Sequence, residues 1–328
     1  MTTYSYPRAA LIGNPSDGYH GRTIAFTFSN FRAEVILEES KHLTIEPSER
    51  DAWQWDNLAH LDRDIAAYGY YGGLRLFKAA LRRFYNYCRT NSLPLRDDNF
   101  TLRYRSNIPN LVGMAGSSAL VTACFRSLEK FYGVSIPSPL LANEIRAVEN
   151  TDLNIGAGLQ DRVIQVYQGL VYMDFDRRFF EERNYGDYIP LDLPLSHIYI
   201  AYRTDFSEGS EVFHNDLRSR YDAGDAEVHA AMHKWAELTN LAREAMQAGD
   251  ITELGRLMDE NFDLRARLCR LSEGNLKMVA TARACGASAK FTGSGGAIIG
   301  TYPDETVYAR LTEALGALNI RVFKPDLV

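Results

Sequence analysis

Three stretches of this chain combine residue types and spacings that could bind a phosphate and move a proton. The first is Gly113-Met114-Ala115-Gly116-Ser117-Ser118-Ala119, which follows Pro109-Asn110-Leu111-Val112 and opens a run of small and apolar residues reaching Phe131. Glycines let a backbone come close to a ligand or take a positive φ. Two serines and an alanine at a helix start leave N–H groups pointing outward, and with the helix dipole these make an anion site. No Gly-Lys-Ser/Thr follows, so the loop is not of the Walker type. An ordinary tight strand-to-helix turn would use the same residues.

The second stretch holds Glu149 and Asp161, on either side of a loop containing Gly156 and Gly158. Phosphoryl transfer calls for Mg2+ held by a carboxylate and a hydroxyl, and for a group that orients or accepts the nucleophile's proton. Glu149 with a loop serine suits the first role and Asp161 the second, although either acid taken singly is better explained by surface solvation. The third stretch is Gly293-Ser294-Gly295-Gly296, between two apolar runs. A β-hairpin needs such a turn in any case; the functional alternative is a backbone that passes close to a bound nucleotide. Tyr68-Gly69-Tyr70-Tyr71-Gly72-Gly73 could face a ligand, but reads more readily as aromatic packing at a helix start. Trp53 and Trp55 could stack on adenine, with ordinary packing as the default. The seven histidines show no ligand spacing.

Elements must position these residues. Ala9–Ile12 reads as a short strand stopped by the turn cluster Gly13-Asn14-Pro15-Ser16-Asp17-Gly18. Thr23–Phe31 and Arg32–Leu37 read as strands, residues 73–91 as a helix, and 100–107 as a half-buried strand in which Leu102, Tyr104 and Ser106 alternate with charged neighbours. Helices are predicted near 138–150 and from Asp161 to Tyr167, and a strand over Gly169–Phe175. Beyond Pro190–Pro194 the predicted order is strand (197–202), helices (226–247, 251–270, 273–285), strands (288–292, 297–302), helix (305–316) and strand (320–323). That is a ferredoxin-like split βαβ order with extra helices, so two domains are expected, 1–190 and 191–328, in an α+β fold.

Composition narrows the class. The chain has 328 residues, 46% apolar and 24% charged, with a formal net charge of −6. The mild charge without single-sign runs speaks against nucleic-acid or membrane partners. Cys88, Cys124, Cys269 and Cys285 lie far apart without ligand spacing, which predicts reduced thiols. The polar N-terminal residues and the lack of a long apolar run predict a soluble, cytoplasmic protein.

Taken together, these segments resemble the GHMP kinase family along essentially the whole chain. Arg8-Ala9-Ala10-Leu11-Ile12-Gly13 looks like its first motif, Pro109–Ala119 its second, the phosphate loop, and Lys290-Phe291-Thr292-Gly293-Ser294-Gly295-Gly296 its third. Within the family the chain is similar to the plant-type glucuronokinases through Gly13-Asn14-Pro15-Ser16-Asp17, Gly21-Arg22-Thr23-Ile24, Gly69–Gly73, Ala157-Gly158-Leu159-Gln160-Asp161-Arg162 and Lys290–Gly296. The resemblance implies an N-terminal ribosomal-protein-S5-like domain and a C-terminal ferredoxin-like domain, with ATP, Mg2+ and a sugar bound between them. It implies that Gly113, Ala115, Gly116, Ser117, Ser118, Ala119, Gly293, Ser294 and Gly295 contact the nucleotide and that Ser118 and Glu149 hold Mg2+. It implies that Asp161 activates the sugar hydroxyl, that Arg8 stabilises charge at the transferred phosphoryl, and that Asp17 binds sugar hydroxyls. The second motif carries one residue more than the common Gly-Leu-Gly-Ser-Ser-Ala. Asn14-Pro15 replaces the Glu-His with which galactokinases contact galactose, which speaks against galactose. The implied reaction is transfer of the ATP γ-phosphate to the anomeric hydroxyl of D-glucuronate. A uronate carboxylate calls for a bidentate arginine; Arg162 is the first candidate and Arg22 the second, and each could equally be a structural ion pair. Galacturonate or a heptose as acceptor, a nucleotide-dependent decarboxylase, and a non-catalytic ligand-binding module are the rival expectations.

Overall fold

A computed structural model describes residues 1–48, 51, 54–68, 72–204 and 211–328. Trp53 and Gly69–Tyr71 lie outside the described residues. In chain order the elements are β1 (Thr2–Ser5), β2 (Arg8–Ile12), a 3-10 turn (Ser16–Tyr19), β3 (Arg22–Thr27), β4 (Ala33–Ser40), β5 (Thr44–Ile45), α1 (Leu58–Tyr68), α2 (Gly73–Thr90), β6 (Asn99–Ser106), α3 (Gly116–Tyr132), α4 (Ser138–Ala147), a π-helical turn (Val148–Asp152) and α5 (Gln160–Tyr167). There follow β7 (Leu170–Asp174), α6 (Arg177–Arg183), β8 (Asp187–Pro190), β9 (Ile198–Arg203), α7 (Glu211–Asp222), α8 (Ala226–Ala248), α9 (Ile251–Leu268), α10 (Glu273–Ala284), β10 (Lys290–Phe291), β11 (Ala297–Thr301), α11 (Glu305–Gly316) and β12 (Ile320–Phe323).

The chain forms two compact units. The first comprises Met1–Pro7, Ser29–Asn110 and Ala115–Tyr167. Its sheet runs β1-β4-β6-β5. Phe100, Leu102 and Tyr104 of β6 point inward at the period of two expected of a half-buried strand. They meet Phe77, Ala80, Phe84 and Cys88 of α2, spaced by three or four, and Val121, Cys124, Phe125 and Leu128 of α3. Gly133, at φ 68°, ends α3 in the left-handed conformation that favours glycine.

The second unit comprises Arg8–Phe28, Leu111–Met114 and Gln168–Val328. A single cut at residue 190 therefore does not separate the units. The reason is strand pairing: β2 and β3 form a sheet with β7 and β8, in the order β2-β3-β7-β8, and α8 packs on β3. The other sheet of this unit runs β10-β11-β9-β12 with every neighbour antiparallel. That is the strand order of a ferredoxin-like split βαβ, as the sequence of elements predicted.

Its helices are bounded by their own residues. Asp225, Asp250, Ser272 and Asp304 accept from first-turn amides of α8, α9, α10 and α11. Val228, Met232, Trp235, Thr239, Ala242 and Met246 form the buried stripe of α8; Leu254, Met258, Asn261, Arg265 and Leu268 form that of α9. No helix among the described residues is long and apolar enough to cross a membrane. All four cysteines are free thiols.

Asn261 ties α9 to the turn after β2. Its Oδ1 accepts from the Gly13 N–H at 2.7 Å, and its Nδ2 donates to the Asn14 carbonyl at 3.1 Å, with the side chain wholly buried. Alanine here would leave a buried donor and a buried acceptor without partners, each worth about 1–3 kcal/mol. Asn261→Ala is therefore expected to lower the unfolding free energy by about 3 kcal/mol, read as a reduced midpoint in a urea melt.

Candidate active site

In the first unit, α3 begins where the sequence placed it, after a strained residue. Ala115 sits at φ 60°, a left-handed conformation that costs a non-glycine residue about 1–2 kcal/mol. Its carbonyl is held by three donors: the Ala119 N–H at 3.2 Å, the Ser118 hydroxyl at 3.1 Å and the Gln165 amide at 2.9 Å. Such over-determined strain marks functional sites. It aims the N–H groups of Gly116, Ser117 and Ser118, which have no acceptor within the helix, along the helix axis.

Glu149 lies at the start of the π-helical turn that widens the end of α4, a local irregularity common at functional sites. The carboxylate is buried, yet both oxygens are engaged. Oε1 accepts from the Ser117 hydroxyl at 2.7 Å, and Oε2 meets the Arg162 guanidinium. Arg162 also donates to the Gly158 carbonyl at 2.9 Å and lies 3.5 Å from Asp161. Asp161, in the first turn of α5, keeps a partly exposed carboxylate at the end of the helix where the dipole favours an anion.

Two expectations change here. Ser118 was expected beside Glu149, but its hydroxyl turns back to Ala115 and Ser117 takes that place. At the start of a helix, successive residues point about 100° apart, and sequence alone does not say which of two serines faces a given acid. Arg162, the first candidate for a substrate carboxylate, instead neutralises Glu149 from a buried position, with about 5% of its side chain exposed.

In the second unit the glycine turn at 293–296 lies against the loop at 111–114. A Cβ on Gly113, which has φ 66°, would fall 2.9 Å from the Gly295 carbonyl oxygen and 3.2 Å from the Ser294 nitrogen. A Cβ on Gly293 would meet the Gly113 oxygen at 2.6 Å. The glycines are thus required by backbone-to-backbone approach within the protein itself.

Arg8 donates to the Gly113 carbonyl at 2.6 Å and the Thr292 carbonyl at 3.0 Å. Arg265, which the sequence reading missed, donates to the carbonyls of Gly293 and Ser294 at 2.8 and 3.2 Å. Lys290 is buried, with its amine on the carbonyls of Ala10 and Phe291, both at 2.7 Å. Burial pushes its ammonium well below the usual lysine range, and Arg265 and Arg8 push the same way. The guanidiniums of Arg8 and Arg265 at the turn, not the Lys290 amine, are what suits it to an anion. A basic residue within the apolar stripe of α9, one turn after Asn261, was the available signal for Arg265.

Asp17 occupies the 3-10 turn after β2. Arg22, the second carboxylate candidate, is ion-paired with Asp174 across β3 and β7 at 2.6 Å. Trp55 donates its indole N–H to Asp64 at 3.0 Å.

Comparison with known proteins fits this geometry. The family profile described as GHMP kinases N terminal domain matches residues 75–169, and that described as GHMP kinases C terminal matches 242–319. Glucuronokinase 1 of Arabidopsis thaliana is 40% identical over 94% of this chain and 87% of its own length.

The chain belongs to the GHMP kinase family.

Probable glucuronokinase 2 of the same plant is 42% identical over 94% of this GHMP kinase and 86% of its own length. The crystal structure of L. major mevalonate kinase in complex with R-mevalonate shares the fold at a TM-score of 0.71 and 17% identity, covering 100% of this chain and 97% of that one. As a GHMP kinase the chain is an ATP-dependent phosphotransferase acting on a small molecule.

Breaking a buried ion pair from one side leaves an uncompensated charge, at a cost of about 3–5 kcal/mol. Arg162→Gln is expected to lose that much stability in a denaturant melt. The double variant Arg162→Gln/Glu149→Gln is expected to regain a large part of it, so that the cycle reads a coupling between the two residues.

Proposed function

We propose that this GHMP kinase transfers the γ-phosphate of ATP to the anomeric hydroxyl of D-glucuronate, giving glucuronate 1-phosphate and ADP. The observation that carries the reading is the likeness to two plant glucuronokinases across nearly the whole chain. The arrangement of Ser117, Glu149, Asp161 and Arg162 supports it from the chemical side.

The reaction needs a charge-neutralising metal, and the donors suit Mg2+. That ion takes hard oxygen ligands, commonly one or two carboxylates completed by substrate phosphate and water. Glu149 with the Ser117 hydroxyl offers such a pair, and among the described residues no cluster of three acidic, histidine or cysteine ligands suggests a different metal. When bound, Mg2+ would neutralise phosphate charge. Arg162 keeps Glu149 in place for that task and acts through it.

Asp161 takes the proton of the anomeric hydroxyl as that oxygen forms its bond to the γ-phosphorus. The bond from phosphorus to the bridging oxygen breaks, and its electron pair leaves with ADP. The first-turn amides of α3 stabilise phosphate charge, with Gly116 and Ser117 foremost. In the second unit Gly113, Gly293, Ser294 and Gly295 contact the nucleotide, and Arg8, which holds the Gly113 and Thr292 carbonyls, stabilises phosphoryl charge. Asp17 binds sugar hydroxyls. The four free thiols suit a reducing compartment such as the cytoplasm.

The protein should be incubated with Mg-ATP and, separately, glucuronate, galacturonate, glucose, galactose, a heptose and mevalonate, following ADP release and phosphorus NMR. A glycosyl 1-phosphate signal selective for glucuronate is the expected result; selective turnover of another acceptor would overturn the substrate. Asp161→Asn is expected to lower kcat by about 100- to 10,000-fold. Near-normal turnover by that variant would remove Asp161 from its role.

A further inference from the structure

A kinase that prefers a sugar acid to the neutral sugar needs a cation for the carboxylate, and neither arginine nominated from the sequence has its charge available. Arg162 is held by Glu149 and Arg22 by Asp174. Arg8 and Arg265 are buried on backbone carbonyls.

A different arginine stands beside the turn that carries Asp17. Arg218, in the C-terminal half of α7, lays its guanidinium over the ring of Tyr19 at 4.2 Å and lies 6.0 Å from the ring of Tyr221. Its Nη2 donates to the Gly18 carbonyl at 2.6 Å, one residue from Asp17. Tyr19 and Tyr221 contact each other at 4.8 Å, and Tyr221 stacks on His229 of α8 at 4.2 Å. The guanidinium is thus anchored on its face and at one nitrogen. Burial pushes the Tyr19 hydroxyl up to about 12; Arg218 pulls it down and Asp17 raises it, so both charges act on one phenol.

The chemistry left over suits a carboxylate. Aromatic contact uses the π-face of a guanidinium and leaves its in-plane donors at the edge. Of five N–H donors, one goes to Gly18 among the described residues. The carboxylate of Asp222 is 3.8 Å away, beyond hydrogen-bonding distance, and is 63% exposed. Such a pair is screened by water and contributes little. With 47% of its side chain exposed, Arg218 is open to a ligand.

We propose that Arg218 pairs with the carboxylate of the sugar acid and selects a uronate over its neutral counterpart. The proposal rests on the glucuronate reading and on Asp17 as the residue that binds sugar hydroxyls. Lysine at this position would supply charge but not the planar, stacked fork.

The test measures glucuronate turnover and ATP KM for wild type, Arg218→Gln and Arg218→Lys. Calorimetry then compares binding of glucuronate with that of glucuronamide, its neutral isostere. Wild type is expected to bind the acid more tightly than the amide. Arg218→Gln is expected to raise the KM and Kd for glucuronate by about 10- to 100-fold, to leave glucuronamide and ATP within about twofold, and so to close the gap; Arg218→Lys should fall between. Unaltered discrimination in Arg218→Gln overturns the proposal while leaving the glucuronate reading standing. Equal weakening of acid, amide and ATP also overturns it, since that marks a structural role. A wild-type protein that phosphorylates another acceptor and ignores glucuronate overturns the reading, and the proposal with it.

Discussion

The buried pair of Glu149 and Arg162 is the interaction on which the polar site of the first unit depends. Removing a carboxylate from water costs several kcal/mol unless a partner compensates it. Here the compensation comes from the residue directly after the proposed base. One guanidinium therefore fixes the acid on the π-helical turn, the loop carbonyl at Gly158 and the start of α5 together. Ser117 closes the arrangement from α3. Three helices that are separate in sequence share one polar contact, and the aromatic core between α2, α3 and the sheet holds their axes still.

The second unit solves a different problem, which is to bring two stretches of backbone together without side chains between them. Gly113 and Gly293 each lack room for a methyl group. Close approach of that kind leaves carbonyl groups to satisfy, and Arg8 and Arg265 supply the donors. The outcome is a turn whose carbonyls are occupied by two guanidinium groups.

Much of this was legible in the sequence, for identifiable reasons. The alternation of Leu102, Tyr104 and Ser106 and the helices expected over 73–91, 226–247 and 251–270 all produced elements at the expected places. Other elements escaped: β1, β5, α1, β8, α6 and α7 carry too few residues, or too little periodicity, to stand out. The family motifs named candidate residues, but not how they are wired together. Which serine faces Glu149 depends on the rotation of α3, and which arginine has charge available depends on partners distant in sequence, such as Asp174 for Arg22. The cut at 190 failed because β2 and β3, near the start of the chain, belong with strands and helices that follow residue 168.

That last feature bears on how the protein comes into being. During synthesis on the ribosome, β2 and β3 emerge first, but β7 is made about 145 residues later and α8, which covers β3, later still. The first unit has its whole sequence once Tyr167 is out. The hairpin of β2 and β3 must wait with an apolar face uncovered, a state prone to wrong pairing. A fragment ending at residue 190 would keep that face exposed for good, so the chain is built to fold as a whole and not as two halves made in turn.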